Sequence, residues 1–130
     1  MNNTIALLVL ALAPCCAAPS QAFFNALHHV ETSGRTGAIL GDNGRALGPL
    51  QIHESYWRDS GVAGSYSQCA DLGYSQRVVS AYLKRYAPAA WARGDAVELA
   101  RVHNGGPRGA SKQATIGYAR RVVAAIDKQQ

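Results

Sequence analysis

Cysteine is nearly missing from the part of this chain that folds. Three are present in 130 residues, but Cys15 and Cys16 fall in an apolar N-terminal run, which leaves Cys69 alone. No intramolecular disulfide can then form, and the fold must be held by its core. Cys69 itself reads as a buried apolar residue. Acidic residues are scarce too: eight Asp and Glu stand against thirteen Lys and Arg, a net charge of +5. Such a balance draws a protein to anionic polymers. Nucleic acid is not the expected partner, because no basic run exceeds two residues and no zinc-finger or RNA-stacking signature occurs. Metal-ligand spacing is also lacking. His28 and His29 have no carboxylate at a ligating interval, so neither a metal nor a cofactor is expected.

The uncharged run Thr4 to Ala18, followed by Pro19, Ser20 and Gln21, falls short of the ~20 residues that span a bilayer as a helix. It suits a secretory leader. The expectation is a signal peptide over 1–22, cut at Ala22 or at Ala17, and export to the extracellular or periplasmic space. Residues 23–130 then make one monomeric domain without a membrane span, of roughly 110 residues, large enough for one modest core.

Phe23, Phe24, Leu27, Val30 and Glu31 recur at helical spacing behind Ser20, a candidate N-cap. This helix ends near Ser33-Gly34, where glycine adopts the left-handed conformation. Residues 37–52 carry four glycines and a proline among short apolar pieces. They read as a β-hairpin turning at Gly41-Asp42-Asn43-Gly44. Ser55 to Ser60 reads as one helical turn and Asp71 to Tyr86 as the central helix, ended or redirected by Pro88. Asp95 starts a short helix by capping-box spacing to Glu98, and Ser111 to Lys128 forms the last. The fold class is α+β, mostly helical, with one small β-hairpin.

Glu31 lies in the last turn of the first helix, at the edge of its apolar face. Burial there disfavours the charged form of a carboxyl group. Asp42 follows in a polar turn. Two carboxylates of unlike environment are what glycosidic bond hydrolysis requires. Each alone has a plainer reading: a helix-end glutamate as a solvated residue, a turn aspartate bonding its own backbone.

The blocks Glu31-Thr-Ser-Gly34, Asp42 through Gly48-Pro-Leu-Gln-Ile52, Glu54-Ser-Tyr-Trp-Arg-Asp59, Ala81-Tyr-Leu-Lys-Arg-Tyr-Ala87 and His103-Asn-Gly-Gly-Pro-Arg-Gly109 decide between these readings. In order and spacing they resemble the invertebrate-type (i-type) lysozymes, the destabilase family. The similarity runs from about Phe23 to Val122. It implies a lysozyme-like fold and hydrolysis of the β-1,4 bond between N-acetylmuramic acid and N-acetylglucosamine in peptidoglycan. By position, Glu31 matches the family's acid and Asp42 its second carboxylate, the nucleophile or stabiliser. The stretch after Asp42 is one residue shorter than the family pattern, which keeps Asp59 as a reserve candidate.

A substrate strip is implied at His53, Glu54, Ser55, Tyr56, Trp57 and Asp59, and again at Tyr82 and at His103, Asn104, Gly105 and Gly106. Tyr56, Trp57 and Tyr82 offer flat faces for sugar rings, with core packing the alternative for Trp57. Gly105 and Gly106 allow close backbone approach to a saccharide. The departure from the family lies in its half-cystine positions, where this chain has Arg35, Ser60 and Ala110 among others. Rival readings are a lytic transglycosylase, which needs one acid only, an isopeptidase using Ser65 or Ser67, and a wall-binding protein without catalysis.

Overall fold

In the computed structural model, residues 18–130 are described. Helix α1 (Gln21–Thr32) buries Phe23, Phe24, Ala26 and Leu27 along one face. It stops where Ser33 turns left-handed at φ 54° and Gly34 follows at 77°. Ser20 is the N-cap, although only its carbonyl bonds the helix, accepting from the Phe23 N–H at 3.0 Å. Most of the expected leader, 1–17, lies outside the described residues. Gln21 and Ala22, its last two positions, form the first turn of α1, and Ala22 O accepts from Gln129 Nε2 at 2.9 Å. A cut at Ala17 would leave this helix whole, whereas a cut after Ala22 would remove its first turn.

The expected hairpin is β1 (Leu40–Gly41) with β2 (Ala46–Leu47), and a third strand, β3 (Ile52–His53), extends it to an antiparallel meander ordered β1-β2-β3. Leu40 pairs with Leu47, and Ala46 with His53. Gly48, at φ 84°, makes the return possible, because a Cβ there would run into the Cys69 carbonyl. Helix α2 (Glu54–Ser60) follows β3 directly, and a 3₁₀ turn over Tyr66–Ala70 leads to α3 (Leu72–Tyr86). Asp71 caps α3 by accepting the Tyr74 N–H at 2.7 Å. Pro88 does not merely end α3; it opens a further helix, α4 (Pro88–Arg93), at the position where a missing N–H costs nothing.

Helix α5 (Ala96–Gly105) is capped by Asp95, which accepts the Glu98 N–H at 3.1 Å. The Glu98 carboxylate turns instead to Arg93 at 2.6 Å, so the box is only half built. The last helix, α6 (Ile116–Asp127), is shorter than its pattern suggested; two 3₁₀ turns, Gly109–Ser111 and Gln113–Thr115, take up the preceding residues. There Gly109 packs against the Arg101 carbonyl, and Thr115 Oγ1 meets Gly109 O at 2.7 Å.

One core unites these elements. Leu27, Leu50, Val78, Val79, Leu83, Leu99 and Val122 are all fully buried around Cys69, which is a free, buried thiol. Burial pushes that thiol up to about 11 from its ordinary 9.0. Hydrogen bonds replace covalent ties between segments. Thr32 Oγ1 donates to Pro49 O at 2.9 Å, Tyr66 Oη to Ile52 O at 2.7 Å, and Trp57 Nε1 to Tyr74 Oη at 2.8 Å. At two positions where the resemblance implied half-cystines, the side chains make local polar bonds. Ser60 Oγ donates to Trp57 O at 2.6 Å, and Arg35 Nε to Thr32 O at 3.1 Å. Among the described residues no helix is long and apolar enough to cross a membrane.

Candidate active site

Glu31 comes from the last turn of α1 and Asp42 from the β1–β2 turn, and both line one cleft of about 600 Å³. Their surroundings differ. The Glu31 side chain is 19% exposed and that of Asp42 45%. Glu31 Oε1 accepts a 2.6 Å hydrogen bond from the Tyr118 hydroxyl on α6. His103 Nε2, on a side chain only 4% exposed, lies 3.4 Å from the same oxygen.

Asp42 sits in a run of left-handed residues, with φ 49° there, 55° at Asn43 and 82° at Gly44. Asp, Asn and Gly are the residues that tolerate this conformation, and the run throws the carboxylate over the cleft. Both oxygens are partnered by basic groups: Oδ1 by Arg45 Nη2 at 3.0 Å and Oδ2 by His53 Nε2 at 3.2 Å. His53 reaches it because β2 and β3 place His53 beside Ala46, itself the partner of Gly41.

Part of the cleft lining is aromatic. Tyr56 from α2 and Tyr82 from α3 stack at 3.6 Å with an interplanar angle of 13°. Each ring therefore spends one face on the other. The Tyr56 hydroxyl meets His103 Nδ1 at 2.9 Å, which joins this wall to Glu31 through the imidazole. Burial, then the neighbouring Tyr82 and Glu31, holds the Tyr56 phenol well above its ordinary value. Burial, then Tyr86 and Asp59, pushes Tyr82 up to about 12. Both stay protonated, and available as donors, at any physiological pH.

Of the residues expected at the site, Ser55, Asp59, Asn104 and Gly106 also line the cleft. Three do not. Trp57 turns away from the cleft, because neighbours on a helix point about 100° apart and Tyr56 takes the cleft side. Its indole packs near Tyr66 and bonds Tyr74. Glu54 faces solvent and pairs with Arg58 one turn on, at 2.8 Å. Gly105 is small for packing, since a Cβ there would press on Thr115; close approach from the cleft is left to Gly106.

The structure adds Ala46, Gln51 and Pro107 to the lining. Gln51, at φ 51°, donates from Nε2 to Ile39 O and Gly48 O at 3.1 and 3.0 Å and so locks the sheet's return. It and Pro107 lay inside recognised motif blocks and were open to sequence reading. Tyr118 was not, because 87 residues separate it from Glu31. Ser65 and Ser67 bond each other at 2.9 Å, and Ser65 caps the 3₁₀ turn over Tyr66–Ala70; neither lines the cleft.

A small helical domain with a three-stranded sheet and Glu31, Asp42 and Asp59 in one cleft is the arrangement expected of a lysozyme-type glycoside hydrolase. The comparisons agree. The destabilase family profile matches residues 21–125. A lysozyme of Ostrea edulis is 36% identical over 118 residues, spanning 88% of this chain and 86% of its own. Two lysozyme structures superpose with a TM-score of 0.68. That of Meretrix lusoria, solved with an inhibitor bound, is 36% identical and matches 80% of this chain and 88% of its own. That of Tapes japonica is 31% identical and matches 82% and 92%. The chain belongs to the destabilase family, that of the invertebrate-type lysozymes, and is a glycoside hydrolase of lysozyme type.

Proposed function

We propose that this enzyme is exported and hydrolyses the β-1,4 bond between N-acetylmuramic acid and N-acetylglucosamine in peptidoglycan, with Glu31 as general acid and Asp42 as nucleophile or stabiliser. The observation that carries the assignment is the placing of a sheltered Glu31 and a solvated Asp42 in one cleft. Glu31 gives its proton to the glycosidic oxygen as the C–O bond breaks, and the bond's electron pair leaves with that oxygen. Asp42, ionised beside Arg45 and His53, faces the positive charge that develops on the anomeric carbon. Water then attacks that carbon and gives up a proton to Glu31, and where Asp42 has bonded the carbon that bond breaks with its electron pair returning to the carboxylate. This division of roles between two carboxyl groups is the worked lysozyme pattern applied to these residues. The net charge of +5 favours approach to an anionic wall.

Glu31→Gln keeps the acceptor for Tyr118 and removes the transferable proton. Turbidity loss of purified walls is expected to stop, with the melting temperature retained; a fully lytic variant would overturn the assignment. Released fragments should carry reducing ends, since anhydromuramyl ends belong to a transglycosylase.

A further inference from the structure

Glu31 is held from a distance in the chain that its helix alone does not explain. The Tyr118 hydroxyl donates to Oε1 at 2.6 Å, from a ring that is 5% exposed on α6, the helix packed across α1. His103 Nε2 addresses the same oxygen at 3.4 Å. Among the described residues no side chain hydrogen-bonds Oε2, and Glu31 lines the cleft.

We propose that Tyr118 is a positioning residue for the acid: its hydroxyl occupies Oε1, so that the proton leaves from Oε2. The proposal rests on the reading of Glu31 as general acid. When the Oε2 proton passes to the glycosidic oxygen, Glu31 becomes a carboxylate. The Tyr118 bond then turns charge-assisted and strengthens. An interaction stronger after proton transfer than before it lowers the barrier and does not merely tighten ground-state binding. Tyr118 is suited to remain a donor throughout. Burial, followed by the Glu31 charge and hydrogen bond and by Tyr56, holds its phenol well above the ordinary 10.0, against the opposing pull of Arg121.

The titratable or charged groups that bear on this pair are Tyr56 on α2, His103 on α5 and Arg121 over the Tyr118 ring at 5.6 Å, with Asp42 and Asp59 lining the same cleft. The nearest alternative partner of Oε1 is His103 Nε2, at 3.4 Å against 2.6 Å for the Tyr118 hydroxyl.

Tyr118→Phe keeps the ring and deletes the donor. On soluble peptidoglycan oligosaccharides, kcat is expected to fall about tenfold, the scale of one hydrogen bond to a charged group, while KM stays near wild type. Losing a donor to the ionised form makes Glu31 keep its proton to higher pH. The alkaline limb of the kcat profile should therefore move up by about one unit. A 3-fluorotyrosine at 118, a stronger donor that keeps the fold, should move the limb down. Unmoved limbs in both proteins would overturn the proposal, as would a loss confined to KM or one that follows the melting temperature alone. If Glu31→Gln is inactive while these limbs stay put, only the positioning role falls; if Glu31→Gln is fully lytic, the acid assignment falls with it.

Discussion

Asp42 shows how little a local ion pair says about a residue's purpose. Its contacts with Arg45 and His53 lie on half-exposed side chains, and such pairs contribute roughly 0–1 kcal/mol to stability. Asp42→Asn is therefore expected to leave the melting temperature almost unchanged. It should cut wall lysis about 10²–10³-fold, the range for removing one preorganised charge-stabilising group. The comparison variant is Asp59→Asn, since Asp59 lines the same cleft; a larger loss there would make Asp59 the second carboxylate. Glu31 and Asp42 were readable as candidates because residue type and local context are written in order along the chain. Trp57 could not be assigned between sugar contact and core packing because one step along α2 decides which side a residue faces, and a seven-residue helix has too few turns for its pattern to reveal that.

At the scale of elements, the site depends on two pieces meeting: the end of α1 and the β1–β3 sheet. Thr32, the neighbour of Glu31, is 3% exposed, and its hydroxyl joins them through Pro49 O at 2.9 Å. Thr32→Val keeps the shape and strands a buried carbonyl, at a cost of about 1–3 kcal/mol. The expected result is a melting point several degrees lower, read by circular dichroism, with kcat falling because Glu31 and Asp42 lose their common frame. An unchanged melting point would show that the sheet is held elsewhere. Apart from α4, the helices were legible from apolar spacing and from Asp71, Asp95 and Gly34 at their ends. The third strand was not, because Ile52–His53 is two residues long and exists only through its register with β2. The two 3₁₀ turns before α6 were likewise hidden, since they depend on Gly109 lying against the Arg101 carbonyl of α5 while Thr115 bonds back to it.

Among the described residues no disulfide ties the fold, and its core and cleft bury several weak acids in their neutral form. Cys69 rises to about 11 and Tyr82 to about 12, while Tyr56 and Tyr118 rise well above their ordinary value. A group whose pKa is raised on folding contributes stability that is complete below its unfolded value, near 9.0 for the thiol and 10.0 for the phenols, and lost as pH climbs through the folded one. Stability should thus be level up to about pH 9 and fall steeply toward pH 11–12. A denaturant titration from pH 7 to 12 measures this; Cys69→Ala should soften only the early part of the fall, and a flat profile would refute it. Taken alone, the chain determined which carboxyl groups exist, which stretches are helical, and the family to which they belong. These are properties of residue type and short-range order. Only the tertiary structure decided that Tyr118 grips Glu31, that Tyr56 reaches it through His103, and that Trp57 turns to the core. Contacts between residues 47 or 87 positions apart arise when separate helices share one interior, and no local pattern encodes where their side chains will meet.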